Sequence, residues 1–141
     1  MKKILYFDCF SGISGDMTVG ALLDLGIDQQ SFMEKLMSLK VDGYHVEIKK
    51  KDAKGIQGTD FNIVVQEQHV HRNLSDINKI ITESGIDEAS KQISLDIFER
   101  IATAEAKVHG KSIDQIYFHE IGAVDSIIDI VATALCITML S

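Results

Sequence analysis

The stretch Ile4-Leu5-Tyr6-Phe7-Asp8-Cys9-Phe10-Ser11-Gly12-Ile13-Ser14-Gly15-Asp16-Met17 sets the frame for the whole chain. The apolar run Ile4 to Phe7 reads as a buried strand over roughly Lys3 to Asp8, and it stops in a loop of small residues. A helical pattern follows, with Met17, Ala21, Leu22 and Leu25 at helical spacing. Strand, glycine-bearing loop and helix start is an order that turns backbone N–H groups and a helix dipole toward an anion. Here, however, carboxylates flank the loop at Asp8 and Asp16, and Cys9 adds a thiol. Acids in that place favour a bridging cation, or chemistry on a phosphorylated substrate. The loop is not a Walker loop, since no Lys follows Gly15, and it is not GxGxxG. A tight turn with Asp16 in the first helical turn, where negative charge is welcome, accounts for the same residues structurally.

Outward from this block, Gly26 closes the first helix and Asp28 caps a second, whose apolar stripe is Phe32, Leu36 and Leu39. At Tyr44 the period changes to two. Tyr44, Val46 and Ile48 on one side and Phe61, Ile63 and Val65 on the other form an antiparallel hairpin, with Gly55 and Gly58 in its loop. A polar connector, Gln66 to Asn73, leads to a helix capped by Ser75 and ended near Gly85. Ile93, Ile97, Ile101, Ala104 and Val108 mark the next helix, stopped by Gly110, and Gly122 to Leu140 mark the last. The expected architecture is α/β or α+β: three strands in a small sheet that includes the hairpin, packed with four to five helices. All of residues 1–141 are expected to form one domain. The last helix reaches Ser141 without a capping glycine, so either the chain ends in a frayed helix or the segment is a piece of something longer.

The formal net charge is −7, and the largest basic cluster is Lys49-Lys50-Lys51, placed at a solvated hairpin end. That balance argues against a nucleic-acid partner. The apolar start is too short for a signal-peptide core, and the C-terminal apolar run, interrupted by Asp129, falls short of a membrane span. Cys9 and Cys136 lie far apart in sequence, which fits a reducing cytoplasm.

Two further constellations can carry chemistry. His69 and His71 would share a face of an extended segment and could both reach one metal ion, although metal sites need at least three protein ligands; two solvated histidines explain the pair equally well. In Tyr117-Phe118-His119-Glu120-Ile121-Gly122-Ala123-Val124-Asp125-Ser126-Ile127-Ile128-Asp129, Asp125 and Asp129 stand one helical turn apart. Their repulsion calls for a cation, an arginine or a shared proton between them. His119 and Glu120 add ligands nearby, but the pair is not HExxH, so zinc-protease chemistry does not follow. His45 reads as a surface residue, His109 as a helix-end imidazole, and Cys136 as core. Cys9, at a strand end before a helix, is placed for a lowered pKa.

Taken together, Asp8-Cys9-Phe10-Ser11-Gly12-Ile13-Ser14-Gly15-Asp16-Met17, His69-Val70-His71-Arg72-Asn73-Leu74, Ala102 to Gly110 and Phe118 to Val131 resemble the LarC family. These are the nickel-insertion proteins that complete the nickel-pincer nucleotide cofactor of lactate racemase. The resemblance covers essentially the whole chain, but family members are usually much longer, so it implies that residues 1–141 are the N-terminal domain of a longer nickel-insertion protein. It implies a lyase-type cyclometallase that inserts Ni²⁺ into pyridinium-3,5-bisthiocarboxylic acid mononucleotide, CTP-dependent in the complete protein with Mg²⁺ or Mn²⁺. It also implies an oligomeric full-length form and, as a further partner, the cofactor-dependent apo-enzyme. Under it, Asp8, Cys9, Asp16 and Asp125 are the expected catalytic groups. Ser11, Gly12, Ser14 and Gly15 would hold the substrate phosphate, and His69, His71, His119, Glu120 and Asp129 the metal. The expectation is that the first and last blocks meet in one cleft, with His119, Glu120 and Asp125 facing Asp8, Cys9 and Asp16. A nickel carrier serving a separate catalytic partner, or a structural domain that binds nothing specific, are the competing readings.

Overall fold

The computed structural model describes residues 4–66, 72–118 and 123–141. Its elements are α1 (Gly15–Leu23), α2 (Gln29–Leu36), β1 (Tyr44–Ala53), β2 (Ile56–Val65), β3 (Arg72–Asn73), α3 (Leu74–Thr82), α4 (Glu88–His109), a 3₁₀ turn (Ile113–Gln115), β4 (Tyr117–Phe118) and α5 (Val124–Met139). The small α/β fold is as expected, but its strands form two separate two-stranded antiparallel sheets, β1–β2 and β3–β4.

The core is built around α5. Val124, Ile127, Ile128, Val131, Ala132, Ala134, Leu135 and Cys136 are all buried, so the helix is apolar on most of its circumference, as an interior helix must be. It packs against α1, α2, α4 and β2. Burial pushes the Cys136 thiol up to about 12, in keeping with a core role. None of the helices formed by the described residues is long and apolar enough to cross a membrane.

The hairpin register runs from Tyr44 opposite Val65 to Ala53 opposite Ile56. Only Lys54 and Gly55 turn the chain, both with positive φ, the mark of a tight two-residue hairpin. Gly58, expected in the loop, instead pairs with Lys51 inside the ladder. On the inner face Phe61 meets Phe32 of α2 edge-on at 6.2 Å. Gly20 lets α1 lie against β2, because a β-carbon there would sit 2.4 Å from the Thr59 carbonyl oxygen. The lysines are not simply a solvated end. Lys50 bonds the Asp24 carboxylate and Thr59 Oγ1, and Asp24 also accepts from Thr59 N at 2.9 Å, tying the end of α1 to the hairpin.

Several local expectations hold. Asp28 caps α2 by accepting from Ser31 N at 2.8 Å, and Phe32, Leu36 and Leu39 are buried. Gly110 ends α4 in the left-handed region at φ 60°. Others are corrected. Residues 4–9 form no strand, and Ile4, Tyr6 and Phe10 are largely exposed. The buried face of α1 is Val19, Leu22 and Leu23, leaving Met17, Ala21 and Leu25 outside. The cap of α3 is Asn73 rather than Ser75: Asn73 Oδ1 accepts from Asp76 N at 2.9 Å, and Asp76 accepts from Asn73 N at 3.0 Å, a full capping box.

The buried line of α4 is Ser90, Ser94, Phe98, Ala102 and Ala106, while Ala104 and Val108 face solvent. Four of the five are small, α4 packs on α5, and the two serine hydroxyls are satisfied internally. Ser94 Oγ donates to Ser90 O at 2.8 Å, and Ser90 Oγ lies 2.7 Å from Thr138 Oγ1 of α5. The β3–β4 pairing was not foreseen. It sets Arg72 opposite Phe118 and Asn73 opposite Tyr117, joining the segment that follows His71 to the one that precedes His119.

Candidate functional site

The N-terminal half of α5 lies beside the N-terminus of α1, and the closest approach is at Gly15. A β-carbon built there would stand 2.3 Å from Asp129 Oδ2 and 2.6 Å from Asp129 Cβ, so only glycine admits the carboxylate. Ser14 precedes α1 in extended conformation, and Asp16 lies in the first turn. Asp16 Oδ1 accepts from Met17 N at 2.8 Å and from the Ser14 hydroxyl, and Thr18 Oγ1 donates to Ser14 O at 2.7 Å. Across from it, Asp125 sits in the first turn of α5 and accepts from Ser126 N at 2.7 Å.

Asp129 is the unusual member. Its Oδ1 is buried and has no hydrogen-bond partner among the described residues. Burial raises its pKa to about 6, and the negative charges of Asp16 and Asp125 push in the same direction. The carboxylate borders a cleft of about 250 Å³ lined by Ile13, Ser14, Gly15, Thr18, Ile97 and Ile130, among others. Its walls are mainly apolar, which is the setting that makes a carboxylate hold its proton more tightly than in water.

Of the two sets expected to face each other, Asp16 and Asp125 both stand close enough to act on the charge of Asp129, which Gly15 meets directly, while His119 and Glu120 fall outside the described residues. Asp8, Cys9, Ser11 and Gly12 lie on the exposed approach to this point. There Gly12, at φ 83°, closes a turn with its N–H 2.9 Å from Cys9 O. No hydrogen bond or ion pair among the described residues links Asp8 or Cys9 to the three aspartates. The Cys9 thiol is free and exposed. His69, His71, His119 and Glu120 fall outside the described residues. Among those described, no three His, Cys, Asp or Glu side chains gather closely enough to hold a metal ion. His45 is exposed and His109 is the last residue of α4, each as expected.

Sequence reasoning picked out the three aspartates but missed why they matter together. The missing signal was Gly15, read as a loop residue rather than as the space into which Asp129 fits. Ile97 and Ile130, which complete the cleft wall, carried no local mark beyond helical spacing.

A buried carboxylate with a raised pKa, beside two other acids and a small-residue helix start, is the candidate site of this fold. The chain belongs to the nickel insertion protein family, whose pattern matches residues 5–141. It is 51% identical over 147 residues to a pyridinium-3,5-bisthiocarboxylic acid mononucleotide nickel insertion protein of Acetivibrio thermocellus, covering 98% of this chain and 36% of the relative. Proteins of the same name from Geobacillus kaustophilus and Desulfitobacterium hafniense (strain DSM 10664 / DCB-2) are 47% and 49% identical, over 98% and 94% of this chain and 36% and 33% of theirs. The chain thus spans about a third of the length of these curated relatives. No solved structure matches it.

Proposed function

We propose that residues 1–141 form the proton- and metal-handling part of a protein that inserts Ni²⁺ into pyridinium-3,5-bisthiocarboxylic acid mononucleotide, the compound in the relatives' names. In such a reaction two thiocarboxylate sulfurs and one ring carbon become bonded to nickel, and that carbon gives up its proton to a base. The base has to be ionised near neutral pH yet more basic than a free carboxylate. Asp129 carries the reading, with a pKa of about 6 at the edge of an apolar cleft. At pH 7 it is ready to accept the proton, and Asp16 and Asp125 strengthen its hold. This moves Asp129 from the expected metal ligands to the acid–base groups, with Asp125 and Asp16 tuning it.

His69, His71, His119 and Glu120 are the proposed nickel ligands, since imidazole suits Ni²⁺. The Arg72–Phe118 pairing supports their joint use, because it brings together the described residues next in sequence to His71 and His119. Asp8 and Cys9 are proposed to meet substrate from the exposed side of the cleft. Ser11, Gly12, Ser14 and Gly15 are proposed to hold its phosphate. Asp16 already occupies Met17 N, so that role falls to the remaining donors of the loop. The same acids disfavour a bare triphosphate at this point, which supports assigning CTP with Mg²⁺ or Mn²⁺ to the rest of the complete protein. Oligomerisation and transfer to an apo-enzyme are likewise assigned to the complete protein.

The test is Asp129→Asn in the complete protein, supplied with Ni²⁺, substrate and CTP. Loss of nickel-pincer product by mass spectrometry, with nickel binding by calorimetry retained, is the expected result. Normal product formation would remove Asp129 from the chemistry, and loss of nickel binding would return it to the ligand set. Stoichiometric nickel uptake without turnover by the unaltered protein would instead favour a carrier.

A further inference from the structure

We propose that Ile4–Asp8 is a strand of a parallel sheet whose neighbour is the chain that follows α5 in the full-length protein. The segment makes no strand among the described residues, yet its exposure alternates: Ile4 89%, Leu5 40%, Tyr6 81% and Phe7 43%. That two-residue period belongs to an extended segment whose Leu5 and Phe7 face is less open than its Ile4 and Tyr6 face. All four residues are apolar, so both faces are suited to burial. A near-continuous apolar run is the pattern of a strand covered on both sides in a parallel sheet, not of an edge facing water. Beyond it, Phe10, Ile13 and Met17 are also exposed, extending the uncovered apolar surface toward α1.

The helix layer indicates what completes it. Gly15 meets Asp129, and Thr18 and Thr133, each one turn further along its helix, line the same cleft, the placement expected of two helices running in one sense. A strand entering α1 and a strand leaving α5 each run back against their own helix, and are therefore parallel to one another. The matched relatives are roughly three times as long as this chain, which supplies the length for such a strand. Pairing there would put Asp8 and Cys9 at the carboxyl end of a parallel strand, beside α1's N-terminus, where open α/β sheets bind their ligands. The inference rests on packing alone and does not depend on the chemistry assigned to Asp129.

Hydrogen exchange read by mass spectrometry over residues 4–10 tests it, in the 141-residue chain and over the aligned segment of the intact Acetivibrio thermocellus relative. The expected result is fast exchange in the short chain and at least ~100-fold slower exchange in the long protein. Equally fast exchange in both would overturn the proposal. Slow exchange in the short chain at every concentration would overturn it in favour of pairing within residues 1–141. Protection that grows with concentration, together with a dimer mass by light scattering, would assign the strand to a second copy instead.

Discussion

Gly15 and Asp129 occupy each other's space: the hydrogen on the Gly15 α-carbon stands where any side chain would collide with the Asp129 carboxylate and its β-carbon. Because the Asp129 β-carbon itself would be 2.6 Å away, no rotation of the aspartate relieves the overlap. Gly15→Ala therefore sets two effects against each other. Helix propensity favours alanine by up to about 1 kcal/mol, and overpacking costs about 1–3 kcal/mol. Overlap wins, and the variant is expected to be less stable in urea denaturation. A gain in stability would mean that α1 and α5 separate easily.

Asp129 should show the reverse behaviour when its charge is removed. Its folded-state pKa of about 6 lies above the ordinary 3.8, so the native state binds the proton more tightly than the unfolded chain. Stability is then highest below about pH 4 as far as this group is concerned, declines as pH rises to about 6, and stays lower above that. Discounted for the partial exposure of the carboxylate, the penalty at pH 7 is about 1–2 kcal/mol. Asp129→Asn is expected to recover that amount at pH 7 and to flatten the pH 4–6 region of the stability profile. A variant less stable than the parent at pH 7 would show that Asp129 is held by a partner in its ionised form.

The sequence was most legible where one residue decides a local outcome. Asp28 and Gly110 stop and start helices by satisfying end groups, and both do so. Periodicity failed where burial depends on size rather than hydrophobicity. In α4 the stripe Ile93, Ile97 and Ile101 is only half-buried, while the buried line is Ser90, Ser94, Phe98, Ala102 and Ala106, four of them too small or polar to stand out in a hydrophobic pattern. The apolar run Ile4–Phe7 reads as a strand in the sequence but forms none among the described residues, since pairing depends on a partner and not on the run itself. The aspartates of the site were visible one at a time; the cleft that groups them requires α1 beside α5, a contact between residues over a hundred positions apart.

Asp24 gives a prediction of opposite sign to that for Asp129. Bonds from Lys50 and from the hydroxyl and amide of Thr59 lower its pKa from 3.8 to about 2. A depressed carboxylate contributes stability above its unfolded pKa and loses it as pH falls through its folded pKa, here between about 4 and 2. Carbon-detected NMR titration should place the Asp24 carboxyl near 2 in the parent chain. Lys50→Met is expected to move it upward, toward 3.8, while Thr59 keeps part of the depression. An unchanged midpoint in that variant would assign the shift to Thr59 alone.

Ser94 tests the α4–α5 contact most directly. It is fully buried, and its hydroxyl donates to the backbone one turn earlier, to Ser90 O. That bond lies within the helix and adds little, so Ser94→Ala is expected to leave thermal unfolding nearly unchanged. Ser94→Leu gains a few tenths of a kcal/mol in helix propensity but inserts three further carbons where α4 meets α5. Overpacking of that kind costs about 1–3 kcal/mol, enough to lower the melting temperature by several degrees in a domain of this size. The pair of variants separates size from polarity: equal losses in both would mean that the hydroxyl, not the space, is what the interface needs. A neutral Ser94→Leu would mean that α4 stands further from α5 than the buried serine line implies.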